Sequence, residues 1–157
     1  MDGRPNGEMM PIGKEVLDRA KAFLCWDVFE DLTIQLIEIQ ESVSFYYPPF
    51  QQGTIILYYQ GGIRDFRIPL FHLFHEAGHV LQFKQWEQTG KAIRFYGTMD
   101  LPKGLKRTAF EKDASEKGRD LLIRFMEKRK QPHQLIAEYD AWSRSAAATY
   151  QCLEKGT

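Results

Sequence analysis

The chain predicts an α+β domain: an N-terminal helix, a small mixed β-sheet, a long apolar helix and two C-terminal helices. Three observations carry that expectation. Apolar residues recur at three- and four-residue steps from Gly13 to Glu30, β-branched runs interrupted by Pro and Gly fill 32–60, and from Pro69 onward the pattern is helical with short breaks.

Size and composition set the outer limits. A chain of 157 residues fits one domain that buries its own core, and 43% hydrophobic with 27% charged residues is an ordinary globular balance. Residues 1–12 hold Gly3, Pro5, Gly7 and Pro11 and read as a loose segment, so 13–157 is the expected domain. Lys+Arg and Asp+Glu number 21 each, which gives no reason to expect nucleic acid or an acidic membrane as partner. No apolar run suits a signal peptide or a membrane span, so a cytoplasmic protein is expected. Cys25 and Cys152 lack metal-ligand or redox spacing and read as buried thiols.

In the first helix, Val16, Leu17, Ala20, Phe23, Leu24 and Val28 make the apolar stripe, with Trp26 and Phe29 widening it by packing. Leu32–Gln40 reads as a strand, Ser42–Tyr47 as a second strand ended by Pro48-Pro49, and Thr54–Tyr59 as a third closed by Gly61-Gly62. Pro69 suits the first helical position, and a helix follows to Gln88 with Gly90 as its stop. Lys91–Lys106, with Gly97, Pro102 and Gly104, reads as a loop with an extended piece at Ile93–Tyr96. Arg107–Lys130 is a charged helix stopped by Pro132, and ten Lys/Arg against five Asp/Glu between 103 and 130 read as a solvated face. His133–Leu153 is a final helix of lower charge.

Within the apolar helix lies His75-Glu76-Ala77-Gly78-His79. Residues four apart share a helix face, so His75 and His79 can present two imidazoles to one ion, with Glu76 beside them. A carboxylate at that place suits the general base that deprotonates a metal-activated water during carbonyl attack. The flanks Phe71, Leu73, Phe74, Val80, Leu81 and Phe83 make the helix apolar nearly all round. Buried His and Glu on such a helix need partners, because an unpaired buried polar group costs about 1–3 kcal/mol. A metal ion is such a partner.

The stretch Leu73–Gln82 resembles the active-site helix of zincin metallopeptidases of the gluzincin type, in which a Glu on a later helix is the third zinc ligand. The resemblance implies a zinc-dependent peptidase acting on a peptide or protein, with a regulatory protein as a further partner. By position Thr54–Tyr59 resembles the strand that edges the substrate cleft in that group, with an internal sheet strand as the equal alternative. Catalytic zinc normally takes three protein ligands, and two glutamates compete for the third place. Glu111 and Glu138 both sit in a Glu-x-x-Ala pattern similar to that of several gluzincin families, including the ImmA/IrrE-like group.

Glu111 shares its helix face with the small and apolar Ala114, Ser115, Gly118 and Leu122, and belongs to the first long helix after the motif. Glu138 belongs to the less charged helix. Lys117 stands where the ImmA/IrrE-like group carries an apolar residue, a departure that weakens the match for the Glu111 helix. His72, His133 and an Asp are the remaining ligand candidates. If Glu138 is not the ligand, Glu138 with Asp140 is expected to hold the free ring N–H of a zinc-bound His. Tyr139, Tyr150 and His133 are candidates for stabilising an oxyanion. The rival reading is a binding or regulatory module whose metal is structural or vestigial. Deformylase chemistry is disfavoured, since neither Cys has the setting of a metal ligand.

Overall fold

The structure is a computed structural model and describes residues 10–39, 43–47, 53–129 and 134–151, the side chains at 43, 45, 47 and 149–151 excepted. The elements follow in the order α1 (Lys14–Ala22), a π-helical extension (Phe23–Val28), β1 (Thr33–Ile39), β2 (Val43–Tyr47) and β3 (Thr54–Gln60). Then come α2 (Arg67–Gln88), α3 (Ala92–Met99), α4 (Leu105–Arg129) and α5 (Gln134–Gln151). The architecture is α+β, as the sequence predicts.

The first helix changes character at Phe23, where the Phe29 N–H reaches back five residues to the Leu24 carbonyl at 2.8 Å. The wider turn shifts the side chains that follow. Phe23, Leu24 and Phe29 remain buried, whereas Trp26 is 83% exposed. The expectation that Trp26 packs inward is therefore wrong; nine residues past Leu17 and two past Leu24, it falls opposite the buried stripe even at a 3.6-residue period.

The sheet order is β1-β3-β2, with β1 parallel and β2 antiparallel to β3. β3 is thus central, with Ile55 and Leu57 fully buried. This corrects the expectation that Thr54–Tyr59 edges a substrate cleft, because the backbone groups on both its sides are taken up by neighbouring strands. β2 is the edge beside the helices.

α2 begins at Arg67, two residues before the expected Pro69, which falls in the first turn where its missing N–H costs nothing. Asp65 Oδ1 accepts the Arg67 and Ile12 N–H groups, both at 3.1 Å, so the last residues of the expected loose segment are fastened here. The helix ends at Gly90 (φ +72°), with the Lys91 N–H on the Trp86 carbonyl at 2.7 Å. The expected loop after it is a correction as well. Residues 92–99 form α3, which buries Phe95 against Phe83, Trp86 and Phe110; that aromatic cluster outweighs the break signals at Gly97, Pro102 and Gly104.

α2 runs through the middle of the molecule, and α4 is the element it packs against most extensively. The two helices meet backbone to backbone. A Cβ built on Gly78 would lie 1.9 Å from the Ala114 carbonyl oxygen, and one on Gly118 would lie 2.3 Å from that of Phe74. Neither site can relax by moving a side chain. Gly78→Ala is therefore expected to force α2 and α4 apart and destabilise the fold by about 1–3 kcal/mol or more. Denaturant unfolding checks this, and Gly97→Ala, which meets nothing within 4 Å, is the silent control for steric conflict.

Candidate metal centre

Glu111 is four residues before Ser115 and seven before Gly118, so the close approach of α4 at Ala114 and Gly118 delivers its carboxylate to the histidines of α2. Glu111 Oε2 lies 2.9 Å from His75 Nε2 and 3.1 Å from His79 Nε2. His75, His79 and Glu111 each offer a ligand atom, and the three atoms lie within 4.8 Å of one another. Glu111 and His79 are buried, while His75 borders a cavity of ≈ 320 Å³. Ser44, Tyr46, His72, Glu76, Arg107 and Trp142 are among the other residues around it.

The far nitrogen of each imidazole has its own partner. His75 Nδ1 meets Ser115 Oγ at 2.9 Å, and His79 Nδ1 meets Gln82 Oε1 at 3.0 Å. The Gln82 amide cannot be turned round, because its Nε2 donates to the Phe110 carbonyl at 3.0 Å and to Asp113 Oδ2 at 2.8 Å, neither of which can donate. Oε1 is left facing His79, so Nδ1 carries a hydrogen and Nε2 is directed at Glu111. Asp113 is held in turn by Lys117 at 2.6 Å. A role for the unexpected Lys117 thus emerges as the outer end of a chain that orients His79.

The other oxygen of Glu111 is held by Arg107, whose Nε and Nη2 lie 2.7 and 2.6 Å from Oε1. Arg107 also donates to the Met99 carbonyl, which ties the end of α3 to the site. This fork leaves Oε2 alone to face the histidines.

Glu76 is positioned from the sheet. Ser44 Oγ on β2 donates to Glu76 Oε1 at 2.9 Å and lies 3.2 Å from His72 Nδ1. With the hydroxyl hydrogen committed to Glu76, the His72 ring supplies the hydrogen of the second bond. Burial holds His72 below its ordinary value, a shift that the Glu76 charge opposes and the neighbouring His75 reinforces. His72 therefore stands beside Glu76, outside the cluster formed by His75, His79 and Glu111.

Glu138 is elsewhere. Its Oε2 lies 2.6 Å from Arg67 Nε, a close ion pair without hydrogen-bond alignment, and Asp140 pairs with Arg119 at 2.7 Å. The expectation that they hold the outer ring nitrogen of a histidine is corrected: Ser115 and Gln82 stand there instead. Tyr139 donates its hydroxyl to the Ser115 carbonyl at 3.1 Å, which removes it as an oxyanion donor. His133, Cys152 and the Tyr150 side chain lie outside the described residues. Sequence reasoning did not single out Gln82, Arg107 or Ser44 as site residues. The first two carried a local signal: Gln82 is a polar residue one turn past His79 on an apolar helix, and Arg107 is one turn before Glu111.

Electrostatically the cluster is built for positive charge. Burial alone would raise the Glu111 carboxyl, but hydrogen bonds from His75 and His79 outweigh it and hold the group far below the usual carboxylate range. Burial alone would lower His79, but the Glu111 hydrogen bond and the charges of Glu76 and Glu111 raise it above 6.5. Both shifts favour positive charge facing Glu111 Oε2, the place that a divalent cation would take.

Comparison of the chain with protein-family models, with curated proteins and with solved structures finds no match in any of the three.

A stability consequence follows for metal-free protein. His79, raised from 6.5, contributes fully below that pH and loses its contribution as pH rises through its folded value. Glu111, lowered from 4.5, contributes above that pH and loses its contribution as pH falls. The stability difference between wild type and Glu111→Gln, measured by urea unfolding in chelator, should therefore be largest between pH 4.5 and 6.5.

Proposed function

We propose that this protein is a zinc-dependent metallopeptidase of the zincin type that hydrolyses a peptide or protein substrate. The observation that carries the reading is the convergence of His75 Nε2, His79 Nε2 and Glu111 Oε2 beside Glu76 in one cleft. Two neutral imidazoles and a carboxylate form a donor set that suits zinc, leaving a position for a further ligand. The partners on the far ring nitrogens hold both Nε2 atoms toward the common point.

Zinc, when bound, supplies Lewis acidity to the reacting carbonyl. The chain's residues do the rest. Glu76 is the general base that takes the proton of the attacking water and returns it to the leaving amine. Ser44 keeps Oε1 occupied, so the carboxylate presents its other oxygen. Trp142, whose ring lies 5.0 Å from that of His72 and 6.1 Å from that of His75, walls the cleft on the α5 side and limits bulk water. β2, in place of the expected β3, offers the edge along which an extended substrate can add its backbone hydrogen bonds. No helix among the described residues is long and apolar enough to cross a membrane. The Cys25 thiol, free among the described residues, suits the cytoplasm as its compartment.

A structural metal is the second reading, favoured by the 5% exposure of the Glu111 and His79 side chains. Glu76 separates the two. Glu76→Gln should keep its zinc and lower hydrolysis of a mixed fluorogenic peptide library by about 100- to 10,000-fold. Zinc-loaded wild type that cleaves none of the library would overturn the peptidase reading and leave the structural one.

The ligand set is tested by zinc affinity in chelator competition. Glu111→Ala should weaken zinc binding by orders of magnitude, and Gln82→Ala by about 10- to 100-fold through loss of His79 orientation. Glu138→Ala should leave it unchanged.

A further inference from the structure

A second surface lies at the opposite end of α4. Glu111 and Lys128 are seventeen residues apart on this helix, which at about 1.5 Å per residue separates them by roughly 25 Å. Here the π-helical segment and the last turn of α4 enclose a groove of ≈ 460 Å³. Its floor is Phe23 against Phe125, with ring centres 5.6 Å apart. On its rim stands Trp26, the aromatic side chain most exposed to solvent among the described residues.

The remaining wall is cationic. Arg19, Lys128 and Arg129 line the groove, and the Arg124 guanidinium lies 6.0 Å above the Phe23 ring. Asp27 is the acid of the groove, and it is taken by Lys128. Glu15, one turn before Arg19, folds its carboxylate back toward Gly13 at the start of α1. The Arg129 guanidinium lies 5.5 Å from the Phe125 ring, with Nη1 buried and without an acceptor among the described residues. Burial lowers Arg129 and the charge of Arg19 lowers it further, while the charge of Glu15 opposes both. A cationic wall and an exposed indole thus face one concavity, on a chain whose formal net charge is zero.

We infer that this groove docks an acidic peptide segment of a partner protein, with an apolar side chain packed against Trp26 and a carboxylate received by Arg129 and Arg19. Charge complementarity selects the sign, and a concave site floored by two phenylalanine rings suits a short segment with one apolar side chain rather than a diffuse anionic surface. A lipid surface fits less well, because one indole on a concave site gives little area to insert. Tryptophan and arginine are also the side chains that most often dominate binding energy at interfaces. The assignment is independent of the peptidase reading, since no residue of the metal cluster takes part.

The test is selection of a random peptide display library on the zinc-loaded full-length protein, with the selected peptides then measured on variants. Selected peptides should be enriched in Asp and Glu beside an aliphatic or aromatic residue. Trp26→Ala, an exposed site that leaves the core intact, should weaken them by about tenfold or more. Arg19→Glu with Arg129→Glu should weaken them further, with circular dichroism as the check on folding. Peptides held by the catalytic cleft survive Trp26→Ala and are separated by it.

Three results overturn the inference. One is a selected set with no acidic enrichment, and another is a set that binds Trp26→Ala as tightly as wild type. The third is Trp26-dependent binding to phosphatidylserine vesicles, or Trp26-dependent self-association in sedimentation, with no peptides selected; it assigns the groove to a membrane or to a second copy of the chain.

Discussion

The contact on which the structure depends is the meeting of two backbones. Between Gly78 on α2 and Ala114 on α4 there is no room for a methyl group, and the same holds one turn along each helix, between Phe74 and Gly118. Helices that approach this closely have their relative rotation and height fixed by main-chain sterics. Because Gly78 lies inside the His75–His79 turn, the interface that fixes the helices also fixes where Glu111 arrives. Core packing and site geometry are here one constraint.

Around that constraint the polar groups are arranged in layers. Each imidazole is held at its outer nitrogen and each oxygen of Glu111 has a different task, one fastened by Arg107 and the other turned to the histidines. The anchors come from separate elements: Ser44 from β2, the Met99 carbonyl from the end of α3, Ser115 and Asp113 from α4. A buried charge cluster of this kind is costly if any member is left unpaired. The number of elements that contribute accounts for how a chain of this size holds three ionisable groups out of water.

The sequence displayed the motif helix openly because its information is local: two histidines at helical spacing in an apolar run. It left Glu111 and Glu138 in competition, since Glu-x-x-Ala occurs in both helices. The deciding signal was the pairing of Gly78 with Gly118, which only has meaning once two distant segments are laid side by side. Sheet order was illegible for the same reason. Nothing in Thr54–Gln60 states that it enters between strands already made. α3 was hidden by Gly97, Pro102 and Gly104, residues that break helices on their own but lose to the burial of Phe95. Trp26 was misplaced by counting a large aromatic ring as core by its type, although two residues past buried Leu24 its position falls on the opposite face.

The strand order carries a consequence for how the site comes into being. β1 and β2 are neighbours in sequence but not in space, so they cannot close a hairpin, and the sheet waits for the strand made last to thread between them. That strand leads directly into α2. Assembly of the sheet and seating of the histidine helix are therefore one late, cooperative event. β2, which holds Glu76 through a single hydroxyl, is also the strand that can peel away while the parallel pair stays intact.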